Sequence, residues 1–444
     1  MKYDKFFALA KEAGIEEAEL YIGESFALSF TLFHGEVNKF SQNKSTTILA
    51  RGIINGKFGT ATCDSWSNAH ADYLVKEIVA NAGVIENEDP SFIFEGSKQY
   101  KKINTFNSDL SKVSVDVKLA KALELEKAVK EGDPRIVDVS ETEYEEAAHS
   151  TTIINTKGLK LVQKSNYYVY ICQAVAKEGE QTKSGYEIFF DNDFNKFNVQ
   201  DLAKLVVKNT VTQLGGEACE SAEYKTVLSP EVVSSFMAFY IGNADAEEVQ
   251  KHSSLFIGKL GQKIASSKIT IEDKPLKRNV FSRWFDDEGV ATYNKAIIKN
   301  GVLQTYLYNL TTAAKAGVES TGNGSRGASK MGTSPFFLEL KPGKKSQEEL
   351  FKELFKEVGN GVYITDVSGL HAGLNPQSGN FSLQSTGFLI KDGKLDRPLD
   401  VITVSGNLMS IFQDVVEVGS DAKAFPDGTS CPSLLIKKTA IGGK

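Results

Sequence analysis

Three dipeptides constrain this chain more than any other feature. Asn55-Gly56, Asn300-Gly301 and Asp392-Gly393 each stand between β-favouring runs: 46–54 and 57–62, 296–299 and 302–303, 388–391 and 394–395. Such a two-residue link is the strongest short-range signal for an antiparallel hairpin, because both turn residues must accept positive φ. The second and third hairpins share a pattern of apolar residues, a lysine and the turn pair, which reads as reuse of a good turn and not as internal duplication. Hairpin-linked strands at both ends of the chain argue against a fold built from parallel βαβ units.

The segments between these turns extend the pattern. A short amphipathic helix over 4–13 stops at Gly14, and 21–33 (YIGESFALSFTLF) reads as a strand. A helix over 67–82 stops at Gly83, which completes an N-terminal α+β domain, 1–95. Residues 91–110 are polar and aperiodic, as in a linker. A helix over 115–130 ends at Gly132-Asp133-Pro134, and strand-like runs follow at 136–144, 150–155, 159–164, 167–176 and 186–190. With a helix over 199–214 they form a middle α+β domain, 96–222. A strand at 224–228 opens the β-rich C-terminal domain, 223–444. There Ser229 can cap and Pro230 can start a helix, and a helix over 347–357 interrupts the strands. The predicted class is α+β, with mostly antiparallel sheets and flanking helices. A chain of 444 residues suits two to three domains, at about 100–200 residues each.

Composition narrows function by exclusion. Charged residues are 24% of the chain and the formal net charge is -6, so no general basic face invites nucleic acid. No run of about 18 uncharged apolar residues exists to cross a membrane. The four cysteines, Cys63, Cys172, Cys219 and Cys431, are scattered without a C-x-x-C, which fits a reducing cytoplasm. The five histidines, His34, His70, His149, His252 and His371, are too far apart for one helix to present a pair, so no local helical zinc site can form. Cys431 has no local histidine to act as its base and reads as a small hydrophobe entering a terminal strand.

Two kinds of segment could still carry chemistry. Asp286-Asp287-Glu288-Gly289 could do acid–base work or hold a hard cation, or could be a solvated loop. The loops 320–327 (STGNGSRG) and 368–379 (SGLHAGLNPQSG) are small, polar and glycine-rich. The first does not match the phosphate-loop pattern. Beside strands, such loops suggest a groove to which an extended peptide could add.

Taken in order along the chain, these pieces resemble the TldD/PmbA family, historically called "modulator of DNA gyrase". The resemblance rests on Gly35-Glu36-Val37, Arg51-Gly52 and Asn55-Gly56-Lys57-Phe58-Gly59. It continues with Phe285-Asp286-Asp287-Glu288-Gly289-Val290, Asn300-Gly301-Val302-Leu303, Tyr306-Leu307 and Ser320-Thr321-Gly322-Asn323. It closes with Ser385-Thr386-Gly387-Phe388-Leu389-Ile390, Ile402-Thr403-Val404-Ser405-Gly406-Asn407-Leu408, Val418-Gly419-Ser420-Asp421 and Pro432-Ser433-Leu434-Leu435-Ile436.

The resemblance implies a cytoplasmic role in peptide proteolysis or maturation, in pairs of a TldD-like and a PmbA/TldE-like chain. The TldD-like half is the zinc peptidase and carries H-E-x-x-x-H on the helix that here starts at Ser229-Pro230-Glu231. That helix has no histidine; only His252 follows, without a partner. The chain therefore resembles the PmbA/TldE branch: no cofactor of its own, zinc only in a TldD-like partner, and no catalysis expected from this chain alone. Its expected partners are a TldD-like catalytic subunit or a second copy of itself, and a peptide substrate, with neither nucleic acid nor membrane. The candidate peptide groove runs over 285–330 and 366–390, with Asp286, Asp287, Glu288, Gly289, Thr321, Gly322, Asn323, Gly324 and Gly369. A stand-alone peptidase with a remote metal site and a gyrase-modulating binding protein are the competing readings.

Overall fold

The computed structural model describes residues 3–84, 92–327, 330–358 and 360–444. Its first half is organised by one six-stranded antiparallel sheet. The strands are β1 (Glu17–Phe33), β2 (Glu36–Ile54), β3 (Lys57–Cys63), β4 (Ile136–Asn155), β5 (Lys160–Glu178) and β6 (Gln181–Asp191). Their order is β3-β2-β1-β4-β5-β6. The Asn55-Gly56 turn forms as its chemistry requires, with φ of 48° and 73°.

Strands of 17 to 20 residues outrun any single core, at about 3.3 Å per residue. Two helix pairs therefore cover the sheet end to end. α1 (Asp4–Glu12) and α2 (Asn68–Val84) bury Phe6, Leu20, Ile48, Ala50, Leu74 and Ile78. α3 (Val115–Glu131) and α4 (Val199–Val211) bury Leu28, Phe30, Leu125, Tyr144, Tyr170 and Val206. α2 lies so close to β3 that a Cβ on Gly59 would fall 1.9 Å from the Ile78 carbonyl oxygen. α2 also continues through Gly83, where the sequence suggested a stop, to Val84.

The segments 1–95 and 96–222 thus donate strands to the same sheet. The five strand-like runs of the middle segment are three continuous strands. β4 passes unbroken through Glu145-Glu146-Ala147-Ala148-His149, because Glu146 is buried by an ion pair with Lys118 of α3 (2.5 Å) and accepts from the Tyr144 hydroxyl (2.6 Å).

The C-terminal half holds two further six-stranded sheets. One contains β7 (Ala222–Leu228) with Asn360–Ser368, Asn380–Lys391, Lys394–Asn407, Val415–Val418 and Leu434–Gly442. It rolls up, because Lys394–Asn407 also pairs with Leu434–Gly442. The other contains Ile271–Asp273, Lys295–Lys299, Val302–Leu303, Leu338–Leu340, Lys423–Ala424 and Thr429–Cys431. Among the strands of the described residues two pairings are parallel, β7 with Asn360–Ser368 and Leu338–Leu340 with Thr429–Cys431, and the other strand pairings are antiparallel. The α+β class with mostly antiparallel sheets is what the structure has. Between the two sheets lies α5 (Pro230–Gly242), capped by the Ser229 hydroxyl. Val232, Val233, Phe236, Met237, Tyr240 and Ile241 are all buried, as expected of a helix apolar around most of its circumference.

Candidate functional site

The acidic triplet does not line an open groove. Asp286 is fully buried. Its Oδ1 accepts the amides of Glu288 and Val290 at 2.9 Å each, and its Oδ2 accepts the Gly324 amide at 2.8 Å. Asp287 Oδ1 accepts Arg283 Nη2 (2.6 Å) and the Tyr21 hydroxyl (3.0 Å), while Oδ2 accepts the Arg326 amide (2.9 Å). Glu288 Oε2 accepts the Leu310 amide at 2.7 Å. From the first sheet, Glu19 of β1 accepts Arg51 Nε of β2 at 2.8 Å, and Arg326 Nη2 stands 4.0 Å from Glu19. The Arg326 guanidinium also covers the Tyr21 ring at 4.5 Å. The triplet is a seam between the two halves of the molecule.

The neighbouring glycines fit this role. A Cβ on Gly289 would meet Leu159 at 2.8 Å, and one on Gly322 the Ala291 carbonyl at 2.7 Å. One on Gly324 would press into Glu288 Oε2 at 2.7 Å and Asp286 Oδ2 at 3.0 Å. Thr321 Oγ1 accepts the Tyr308 amide at 2.7 Å, and Asn323 Nδ2 donates to Asp273 Oδ2 at 2.8 Å. Eight of the nine expected groove residues therefore converge, as internal structure. The ninth, Gly369, caps the short helix Leu370–Gly373 at φ 79°, with nothing within 4 Å of its Cβ position.

Electrostatics at the seam follow from burial. Burial and the adjacent Glu288 hold the Asp286 carboxyl up at about 8. Burial raises Glu288 as well, against the pull of Arg51. Burial also pushes Asp287 upward, but Arg283 and the Arg326 amide outweigh it and the net shift is downward. Glu19, Asp286, Asp287 and Glu288 face Arg51, Arg283 and Arg326. Four carboxylates face three guanidiniums, and it is Asp286, fully buried beside Glu288, whose ionisation this crowding disfavours most.

A second locus lies on the inner face of α5. Cys431 is buried with its Sγ 3.9 Å from Met237 Sδ. Ser234 Oγ stands 2.6 Å from Thr429 Oγ1 and donates to Asp427 Oδ2 at 3.2 Å. Burial, with Asp427 and Glu231 adding to it, pushes the Cys431 thiol well above its ordinary value. His252 is exposed beyond this helix. Zinc takes thiolate, imidazole or carboxylate ligands. A thiol held protonated beside a thioether and a hydroxyl does not fit it. Among the described residues, no group of three or more His, Cys, Asp and Glu could hold a metal ion.

At the outer end of α5, Lys423 Nζ bridges Glu231 (2.9 Å) and Glu187 of β6 (3.1 Å). This bridge and the Glu19–Arg51 pair were not found from sequence. Their members come from distant segments, and the alternation of β1 places Glu19 on the face opposite Ala18, Leu20 and Ile22, where a solvent-facing glutamate would be expected.

Two family models match the chain: the PmbA/TldA metallopeptidase central domain over residues 108–214 and the C-terminal domain over 221–443. The chain belongs to the PmbA/TldD family. A "Metalloprotease PmbA homolog" from Buchnera aphidicola subsp. Acyrthosiphon pisum is 30% identical over 330 residues, covering 72% of this chain and 68% of that protein. The crystal structure of a Thermotoga maritima protein bearing the name modulator of a DNA gyrase is 31% identical with a TM-score of 0.92, covering 99% of each chain. TldE from Thermococcus kodakarensis shares the fold, with a TM-score of 0.91 at 21% identity over 100% of both chains. Within the PmbA/TldD family frame, the seam joins the first sheet to the matched C-terminal domain, and α5 lies at the centre of that domain.

Proposed function

We propose that this chain is the PmbA/TldE-like, non-catalytic subunit of a cytoplasmic TldD/TldE-type metallopeptidase system for peptide proteolysis or maturation. The observation that carries this reading is the inner face of α5. Opposite Cys431 it presents Ser234 and Met237 and no imidazole to anchor a cation, and the neighbouring Asp427 carboxylate already accepts from Ser234 and Thr429. Four free cysteines accord with a reducing compartment. The partner is a TldD-like catalytic subunit or a second copy, and the ligand is a peptide.

The test compares three preparations: this chain, an H-E-x-x-x-H chain from the same genome, and the two together. Peptidase turnover and zinc are expected only where the H-E-x-x-x-H chain is present, with this chain raising activity or altering peptide preference. Stoichiometric zinc together with turnover in this chain alone would overturn the reading in favour of a stand-alone peptidase.

A further inference from the structure

β5 has a bare stretch of edge. β4 pairs with one side of it from Lys160 to Ala176, but β6 reaches the other side only from Tyr168 onward. Residues 92–107 run along the gap. They form neither helix nor strand, and among the described residues no backbone–backbone hydrogen bond ties them to β5. Side chains hold them there instead. Asn155 Nδ2 donates to the Phe94 carbonyl at 2.7 Å. Asn166 Oδ1 accepts the Asn107 amide at 2.9 Å, and Asn166 Nδ2 donates to the Asn107 carbonyl at 2.8 Å.

The same segment grips the C-terminal half. The Tyr100 hydroxyl donates to the Gly289 carbonyl at 2.7 Å, and Ser97 Oγ accepts the Ala291 amide at 2.9 Å. Arg278 Nη2 donates to the Asn104 carbonyl at 3.3 Å. Phe94, Tyr100 and Ile103 pack on Ile153, Leu159 and Leu161 of the first half and on Trp284 and Phe285 of the second. The outer side carries Lys98, Lys101 and Lys102, all exposed. The segment is a strap laid across the seam.

We propose that 92–107 is a clasp: it opens as one unit ahead of the rest of the molecule and, through Tyr100 and Ser97, frees the acidic turn 285–291 as it goes. Backbone without a ladder, held by a few side-chain bonds, lies at the low-stability end of a fold. Both ends of the strap are fixed. Ile93 is buried and its amide donates to Glu17 at 3.0 Å, while Asn107 Nδ2 donates to the Asn192 carbonyl at 2.7 Å. The middle can therefore swing out and return to the same place. Its grip falls on the left-handed residue of the turn, Gly289 at φ 86°. Opening bares the 160–167 edge and loosens the join between the halves at that point.

The test follows the full chain through sub-denaturing urea. Trypsin cleavage after Lys98, Lys101 or Lys102 reads the strap, deuterium uptake over 285–291 reads the turn, and uptake over 122–129 of α3 reads global unfolding. A local opening exposes little surface, so strap and turn rates should change by less than about twofold over a urea range that speeds α3 by about tenfold. Tyr100→Phe keeps the ring and loses the hydroxyl, and should raise strap cleavage and turn uptake together by about tenfold. Ser97→Ala should raise both by about fivefold. Strap cleavage that climbs with urea as steeply as α3 uptake overturns the proposal, as does cleavage that neither variant changes. Turn uptake that stays at the wild-type rate in both variants while strap cleavage rises overturns the coupling.

Discussion

Raising the pH from about 6.5 to about 8 is expected to loosen the seam around Asp286. In the folded chain its carboxyl is held up at about 8 by burial and by Glu288; unfolded, it returns to an ordinary carboxylate value near 3.9. Between those values the native state binds more protons than the unfolded state. Stability is therefore greatest at low pH and falls as pH climbs toward the folded value. One proton gives a slope of at most about 1.4 kcal/mol per pH unit, or about 2 kcal/mol over this window.

The window is chosen to isolate that proton. Burial lowers His149, whose opposite contribution ends above about 6.5. The lowered Asp287 acts only in acid. The raised Glu288 acts in the same direction as its neighbour. Trp284 is buried two residues from Asp286 and meets Phe285 edge-on at 4.5 Å. With Trp66→Phe, its emission during urea unfolding reports on the seam. Wild type should lose stability steadily across the window, while Asp286→Asn and Glu288→Gln should flatten the slope even if both start lower. A flat or rising wild-type profile, or a slope that both variants leave intact, would refute the raised Asp286 carboxyl.

Other perturbations probe the same architecture. Arg51→Met should cost about 3–5 kcal/mol, because it strands the fully buried Glu19 carboxylate. Adding Glu19→Gln should recover part of that loss in a urea titration. Gly59→Ala should cost about 1–3 kcal/mol in thermal unfolding, since α2 must move off β3 to admit the methyl group. Cys431→Ala should lower thermal stability by about 1 kcal/mol without changing zinc content or peptidase activity of the assembled pair, because this thiol fills space.

The hairpins were legible because their signal is local: Asn55-Gly56, Asn300-Gly301 and Asp392-Gly393 all adopt the positive φ pairs that their chemistry favours. The α5 start was legible for the same reason, with Ser229 capping the amide three residues on, and Ser114 caps α3 in the same way. What stayed hidden depends on partners far along the chain. Glu146 looks like a strand breaker until Lys118 neutralises it. Asp286-Asp287-Glu288-Gly289 looks like a surface turn until Arg51, Arg283 and Arg326 close around it. The break near residue 95 follows a real change in composition, yet both flanks feed one sheet because strands of this length can carry two helical layers.

Carboxylates held by backbone amides and guanidiniums inside a seam join the two halves, so substitutions there report on that joining before they report on substrate. An extended peptide needs an open strand edge or an apolar recess with free polar groups at its rim. The outer side of α5 has an apolar recess, a cavity of about 380 Å³ lined by Phe239, Gly242, Asn243, Leu374, Pro376 and Leu408, in which the Asn243 amide is already bonded to Phe239 and Leu255. Leu374 and Pro376 belong to the second glycine-rich loop, the one carrying Gly369. Of the two loops read as groove walls, the one at 320–327 is structural cement for the seam, and the one at 368–379 borders the cavity on the outer side of α5.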